Sequence, residues 1–444
     1  GGLYANKITL IGTQDGVGVN LPLEIIMEDS LVINSAGHLV VGKLGAKNIN
    51  ITSKNFTANL GGMTATEAFN LTALDFTLNS QANINANTVN ITSKDFNSDD
   101  ATITATLGLD FKTDALTLTN NSHLSASIIN ITSKDFLAEQ SNLTSGESIT
   151  LVSDNFTLAN AKIDSKNVNI TSKDLLSSDS QFVVKETLTL DSEDVTLKDT
   201  TITAKDVTLT SKDFSSQTST ISTTQDITLN TDAFNINTDS KIDGVNITLT
   251  SKDFTSNKST LDASKVLTLT TEDFTINNDS LIDGDTIILN AQDFTSDKSI
   301  LTANTMTLDT QAFSIKNDAS ITGAHLTLNA TDFKADASQL STSESITMTT
   351  DGISLTNNSK IVSKNVNINS GSKNTDHSFL IQDSLITAND LLINANDFTA
   401  NNANLTATNT INPTPKDLAN KHGLKLQPNK IKNIHIKVPA TQHN

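Results

Sequence analysis

Asp recurs in one setting along the chain, directly before a large apolar residue. Examples are Asp75, Asp95, Asp135, Asp174, Asp194, Asp213, Asp253, Asp273, Asp293, Asp332 and Asp397. A row of evenly spaced carboxylates offers the hard oxygen ligands that calcium takes. The same residue is also a turn former whose carboxylate bonds nearby backbone N–H groups. Neighbours about 4.8 Å apart would repel by only ~1 kcal/mol in water, so the row needs no metal. The glycine-aspartate nonapeptide of calcium-binding β-rolls is missing. No metal, cofactor or catalytic residue is assigned.

Asn and Thr form a second series: Asn50 and Thr52, Asn90 and Thr92, Thr208 and Thr210, Thr248 and Thr250, Thr268 and Thr270. Rows of paired Thr resemble the flat faces of ice-binding β-helices, but Asn, Asp and Lys interrupt them. Thr suits an exposed strand, and Asn forms stacked amide ladders. Triplets such as Asn90-Ile91-Thr92 have the form of glycosylation acceptors. A chain this rich in Asn and Thr also produces that form by chance.

The seven His (His38, His123, His325, His377, His422, His435 and His443) are scattered without metal spacing and are expected in solvent. There is no Cys, hence no disulfide, thiolate site or Cys nucleophile. All 30 basic residues are Lys and the net charge is −19. Such a surface repels phosphate backbones and lacks the guanidinium fork, which argues against nucleic acid as a partner. No apolar run approaches the ~18 residues of a membrane span, so the chain is not expected to span a membrane. The opening "GGLYANKITL" does not have the form of a signal peptide.

These residues are placed by a repeat of about 20 residues that ends in phrases such as "ITSKDF". Its last residue is an apolar anchor. Phe occupies that column at Phe56, Phe76, Phe96, Phe136, Phe156, Phe214, Phe234, Phe254, Phe274, Phe294, Phe313, Phe333 and Phe398. Leu116, Leu175, Val195 and Ile353 fill it elsewhere, and Phe379 follows an irregular coil. Seven and five residues before nearly every anchor stand two more apolar residues, such as Ile49 and Ile51 or Leu267 and Leu269. Twelve or thirteen before lies another, such as Ile242 or Leu261.

Short alternating segments broken by Asn, Asp, Ser and Gly predict strands joined by turns. A 20-residue step predicts a solenoid whose coils stack like on like. The fold class is therefore all-β, a parallel β-helix. The "SKDF" phrase returns every 39–40 residues. Two residues after those anchors the residue is small (Ser98, Ala138, Ser177), and after the intervening anchors large (Leu78, Leu118, Leu158). This two-coil super-repeat alternates volumes along the core. "NSGSKNTDHSFLIQDS" at 369–384 lies where the step from Ile353 to Phe379 is 26 residues, six more than a coil, and is expected to bulge as a loop, the place for a specific contact.

The N-terminal residues carry a resemblance. "GGLYANKITLIGTQDGVGV" and "INSAGHLVV" match on Gly1, Gly2, Tyr4, Lys7, Gly12, Thr13, Gly16, Gly18, Ala36, Gly37 and His38. They closely resemble the end of the secretion domain of two-partner-secretion exoproteins. That family includes filamentous haemagglutinin-like adhesins and contact-dependent growth inhibition proteins. The resemblance implies a right-handed parallel β-helix exported by an outer-membrane β-barrel transporter. It also implies a chain that begins inside the secretion domain. The expected division is secretion-domain coils at 1–45, a repeat array at 46–410, and a basic tail or cap at 411–444 with four of the five Pro.

The expected function is a secreted or surface-exposed bacterial adhesin that binds a host-cell or bacterial receptor and is not an enzyme. One alternative is the stalk of a growth-inhibition exoprotein whose toxin lies outside this chain. A remoter one is a polysaccharide-acting β-helix enzyme, which would need a local cluster of carboxylates with Lys or Arg framed by long loops.

Overall fold

The computed structural model describes residues 6–14, 16, 18–21, 24–371, 379–420 and 425–428; for 396–398 and from 411 onward it describes the backbone alone. Among the described residues there is no helix. The chain is a parallel-strand solenoid with about 20 residues per coil, a β-helix. It divides into two compact units, 1–214 with 219–224, and 215–218 with 225–444.

A coil of the second unit shows how the sequence makes the fold. Lys241–Thr250 is a strand bent at Gly244, where its register with the next coil shifts. Asp253–Asn257 follows after a corner. Side chains alternate inward and outward along each segment, as the period of a strand requires. Ile242, Ile247, Leu249 and Phe254 point inward and are buried. The next coil repeats them in register: Ile242 opposite Leu261, Ile247 opposite Leu267, and Phe254 opposite Phe274.

The coil closes at a backbone feature that recurs without interruption. Four residues after every anchor, from Leu60 to Asn402, the backbone turns left-handed, with φ between 46° and 55°. Asn and Asp tolerate that region, whereas Leu60, Lys258, Lys298 and Ala337 hold it against their intrinsic preference. A second left-handed residue follows at Gln81, Asn121, Asp239, Asp279, Asp318 and Asn358. Each of these wider turns belongs to a coil with a large residue two past its anchor (Leu78, Leu118, Ile236, Ile276, Ile315 and Leu355). The volume alternation read from the sequence is matched by turn length in these coils, whereas Leu158 and Leu197 are each followed by a single left-handed residue, Asn160 and Asp199.

Phe packing takes two forms, and the first unit contains both, since Phe136 and Phe156 stack there with an interplanar angle of 7°. In the second unit, Phe234, Phe254, Phe274, Phe294, Phe313 and Phe333 form one stack with interplanar angles of 13° or less. In the first unit, Phe56, Phe76 and Phe96 meet edge to face. Where Leu116 occupies the next place in that column, Phe96 meets Phe111 instead, with ring centroids 4.9 Å apart. Phe69, Phe111 and Phe182 lie off the anchor column and fill the other core columns, all fully buried.

The interior also contains hydroxyls. Just after each left-handed turn sits a small residue, most often Ser, and Ser122, Ser180, Ser280 and Ser359 are buried there. Each donates to a carbonyl of its own turn, as Ser180 does to Ser178 at 2.6 Å. Each also accepts a backbone N–H from the preceding coil, as Ser180 does from Ala161 at 3.0 Å. The left-handed turn leaves that N–H without a strand partner, and the hydroxyl satisfies it. The small residue two past the anchor joins this network, since Ser98 bonds Ser122 at 2.9 Å and Ser256 bonds Ser280 at 3.1 Å. So Ser in this position is more than a filler of small volume.

Strand pairing does not end at the boundary expected at 411. Asn404–Asn420 pairs along its length with Leu385–Asn401, Ile411 opposite Leu391 and Leu418 opposite Phe398. The centre of the irregular 369–384 stretch lies outside the described residues. Phe379 after it rejoins the anchor column, opposite Ile353 and Phe398.

Candidate interaction surface

The anchor-column residues Phe56 to Phe333 named from the sequence are all buried; the side chain of Phe398 lies outside the described residues. They hold the frame and are not themselves available for contact. What faces outward is a set of columns of mostly polar groups that recur from coil to coil.

The column before the anchor places Asp253, Asp273 and Asp293 opposite one another on successive strands. Burial, then the charges of Asp293 and Asp253, raise the Asp273 carboxyl above its ordinary range. Asn55 and Asn155 stand in the same column, and Asn155 donates to Asp135 at 2.6 Å. The recorded bond thus runs along the stack, coil to coil. A second in-register triad, Asp243, Asp262 and Asp283, lies on the first strand of the same coils. There burial, followed by Asp243 and Asp283, raises Asp262, while Lys241 opposes the shift. Among the described residues no group of three or more His, Asp or Glu is placed to hold a metal ion.

The Asn series forms an amide ladder in the first unit. Asn90 donates to Asn70 at 2.8 Å and Asn70 to Asn50 at 2.9 Å. Asn130 makes the same bond to Asp110 at 2.9 Å. In the second unit the equivalent column is Thr228, Thr248 and Thr268 in register, followed by Ile288, whose exposure is 38%. Amides at the left-handed turns extend the pattern, with Asn278 donating to Asn257 at 2.8 Å and Asn317 to Asp297 at 2.9 Å.

A third pattern was missed from the sequence. Two residues before the anchor the charge alternates in sign: Lys94, Asp114, Lys134, Asp154, Lys173 and Glu193 in the first unit. Backbone bonds stack these corners, Asp114 N–H to Lys94, Lys134 to Asp114 and Asp154 to Lys134. Lys134 reaches Asp114 at 3.3 Å. The corner between the first two strands repeats the device with Glu147, Lys166, Glu186 and Lys205, where Lys166 meets Glu147 and Lys205 meets Glu186, each at 3.1 Å. In the second unit Lys252 meets Asp232 at 3.1 Å, with Glu272 next. At its left-handed turns Lys258 meets Asp239 and Lys298 meets Asp279, at 3.5 and 3.6 Å. The signal lay in the middle of the repeated phrase, where "SKD" alternates with "SDN", "SED" and "TED".

Of the N-terminal motif, Gly1, Gly2 and Tyr4 lie outside the described residues. Lys7 and Gly12 bound a strand that pairs with Ser30–Val41, Lys7 opposite Ser30 and Gly12 opposite Ser35. Gly16 is left-handed, with φ 81°. Ala36 and Gly37 make the corner where the register with the next coil shifts, and the Ser35 hydroxyl accepts the Gly37 N–H at 3.3 Å. His38 is exposed and pairs with Thr57 at 2.9 Å. His123, expected in solvent, is instead half-buried, and burial lowers its pKa.

Two surface depressions have mixed polar and apolar linings. One of about 380 Å³ is lined by Asn365, Asn367, Asp390, Leu392 and Thr410. The other, of about 300 Å³, lies among turn residues including Asp318, Gln339, Asn357 and Lys360. Among the described residues no helix is long and apolar enough to cross a membrane. In comparison with known proteins, no family model, no curated protein and no solved structure matches the chain.

Proposed function

We propose that this chain is a β-solenoid adhesin of the filamentous haemagglutinin-like kind. In this reading it is secreted by, or displayed on, a Gram-negative bacterium after export through an outer-membrane β-barrel transporter. It acts by binding a host-cell or bacterial receptor and catalyses no reaction. A β-solenoid is compatible with an adhesin-like repeat protein.

The observation that carries the reading is the in-register repetition of outward groups. Asn50, Asn70 and Asn90, or Thr228, Thr248 and Thr268, offer a receptor the same contact at each coil. Contacts that are weak one at a time add through effective concentration. The N-terminal resemblance supports the export step.

The test is adherence. Beads coated with the purified chain are expected to bind bacterial or epithelial cells, and free chain should compete only at high concentration. Coated beads that bind no better than albumin-coated ones on any cell type would sink the adhesive reading.

A further inference from the structure

Most core columns of this protein do little to distinguish one coil from the next, the residue two past the anchor being the exception. Phe254, Phe274 and Phe294 occupy one column, and Leu249, Leu269 and Leu289 another. A coil that stacked one place out of step would bury the same apolar groups. Parallel strands with such interchangeable faces specify their register weakly. The corner charges are different. Moved by one coil, Lys134 would sit on Lys and Asp114 on an acid, and the stretches Glu147 to Lys205 and Asp239 to Lys298 at the other corners would also place like on like. Moved by two coils, every sign would match again.

We propose that the alternating corner charges set which coil stacks on which, so that the chain counts its coils in pairs. Attraction between exposed ions is small, and the device works mainly by penalising the wrong neighbour. It acts where the signs alternate: from Lys94 to Glu272 before the anchors, from Glu147 to Lys205 between the first two strands, and from Asp239 to Lys298 at the turns of the second unit, with the two-coil period of the core. The small and large residues after the anchors contribute in the same sense, but only the charges respond to salt.

Two internal deletions in the full chain test this. Removing residues 117–156 takes out two coils and leaves Lys94, Asp114, Lys173 and Glu193 in alternation. Removing 117–136 takes out one coil and sets Asp114 against Asp154. In low salt the two-coil deletion is expected to melt close to the full chain and the one-coil deletion lower. The gap should narrow in about 1 M salt, where the screening length falls to about 3 Å. Asp154→Asn in the one-coil deletion should raise its low-salt melting temperature. Equal melting of the two deletions, or a gap indifferent to both salt and Asp154→Asn, overturns the proposal.

A charge swap decides the matter if neither deletion folds. Asp114→Lys with Lys134→Asp in the full chain would restore an isolated ion pair. Within a column the same swap stacks a second ammonium on Lys94 and a second carboxylate on Asp154. The double variant is expected to melt lower than the parent in low salt and to approach it in high salt. Melting identical to the parent in low salt refutes the inference.

Discussion

The hydroxyl of Ser359 accepts the backbone N–H of Ser338, 3.2 Å away on the preceding coil, and donates to the carbonyl of Thr356 at 2.7 Å. Removing it leaves a buried N–H without a partner. Ser359→Ala is expected to cost about 1–3 kcal/mol. Hydrogen exchange locates the effect: the Ser338 amide should exchange faster than in the parent, while amides several coils away should not change.

Phe274 stacks on Phe254 and Phe294, with ring centroids 4.6 and 5.0 Å away. Phe274→Ala is expected to cost about 3–5 kcal/mol through lost burial and the cavity left behind. Phe274→Leu should cost clearly less, because Leu116 and Leu175 already occupy this column and are buried. Equal losses for Ala and Leu in chemical denaturation would contradict the packing account.

Leu60 is 77% exposed and holds φ at 53°. A side chain that buries so little and strains its backbone is dispensable. Leu60→Gly should stabilise the first unit by about 1 kcal/mol, because the left-handed conformation carries no steric cost for Gly. A lower melting temperature would show that Leu60 has a role its exposure does not reveal.

Gly323 is the opposite case. A Cβ there would overlap the carbonyl oxygen of Ala303 on the preceding coil. Gly323→Ala should therefore force the strands apart and cost about 1–3 kcal/mol. Gly108, whose surroundings are open, is the control and should accept Ala with little change.

Asp262 and Asp273 both have raised carboxyl pKa values, chiefly through burial. The native state then holds protons more tightly than the unfolded chain. Stability from these groups is fully present below the ordinary Asp value of 3.8 and is lost as pH rises through the raised native value. Glu344 is shifted down by its hydrogen bond and ion pair with Lys364, so its contribution is lost instead as pH falls. Asp262→Asn with Asp273→Asn should flatten the fall in melting temperature between weakly acidic and neutral pH. An unchanged slope would mean that the triads do not retain protons.

Much of the fold was legible because burial in a stack is a periodic demand. The Phe column and the paired apolar columns are visible in any row of the sequence, and they are the buried columns of the structure. Other features were hidden for physical reasons. Residue type does not mark Leu60, Lys258 or Ala337 as left-handed, since the coil imposes that conformation on whatever stands there. Ser180 and Ser359 look like ordinary turn residues until the N–H of the previous coil is seen beside them. Phe111 falls in the column five before the anchor Leu116, but its contact with Phe96 becomes visible only once coils are superposed. The sign alternation at Lys94, Asp114 and Lys134 has no meaning along the chain and acquires one only across it.

The turns of the second unit widen and narrow in step with its core, as at Ile236 with Asp239, Ser256 with Lys258 and Ile276 with Asp279. A DNA segment encoding such a pair, duplicated or lost by unequal recombination, would join its neighbours without a mismatched seam. Length in this protein can then drift by whole pairs between relatives, while single-coil insertions are selected against. Strain-to-strain comparison of the gene should find its indels clustered near multiples of the two-coil period.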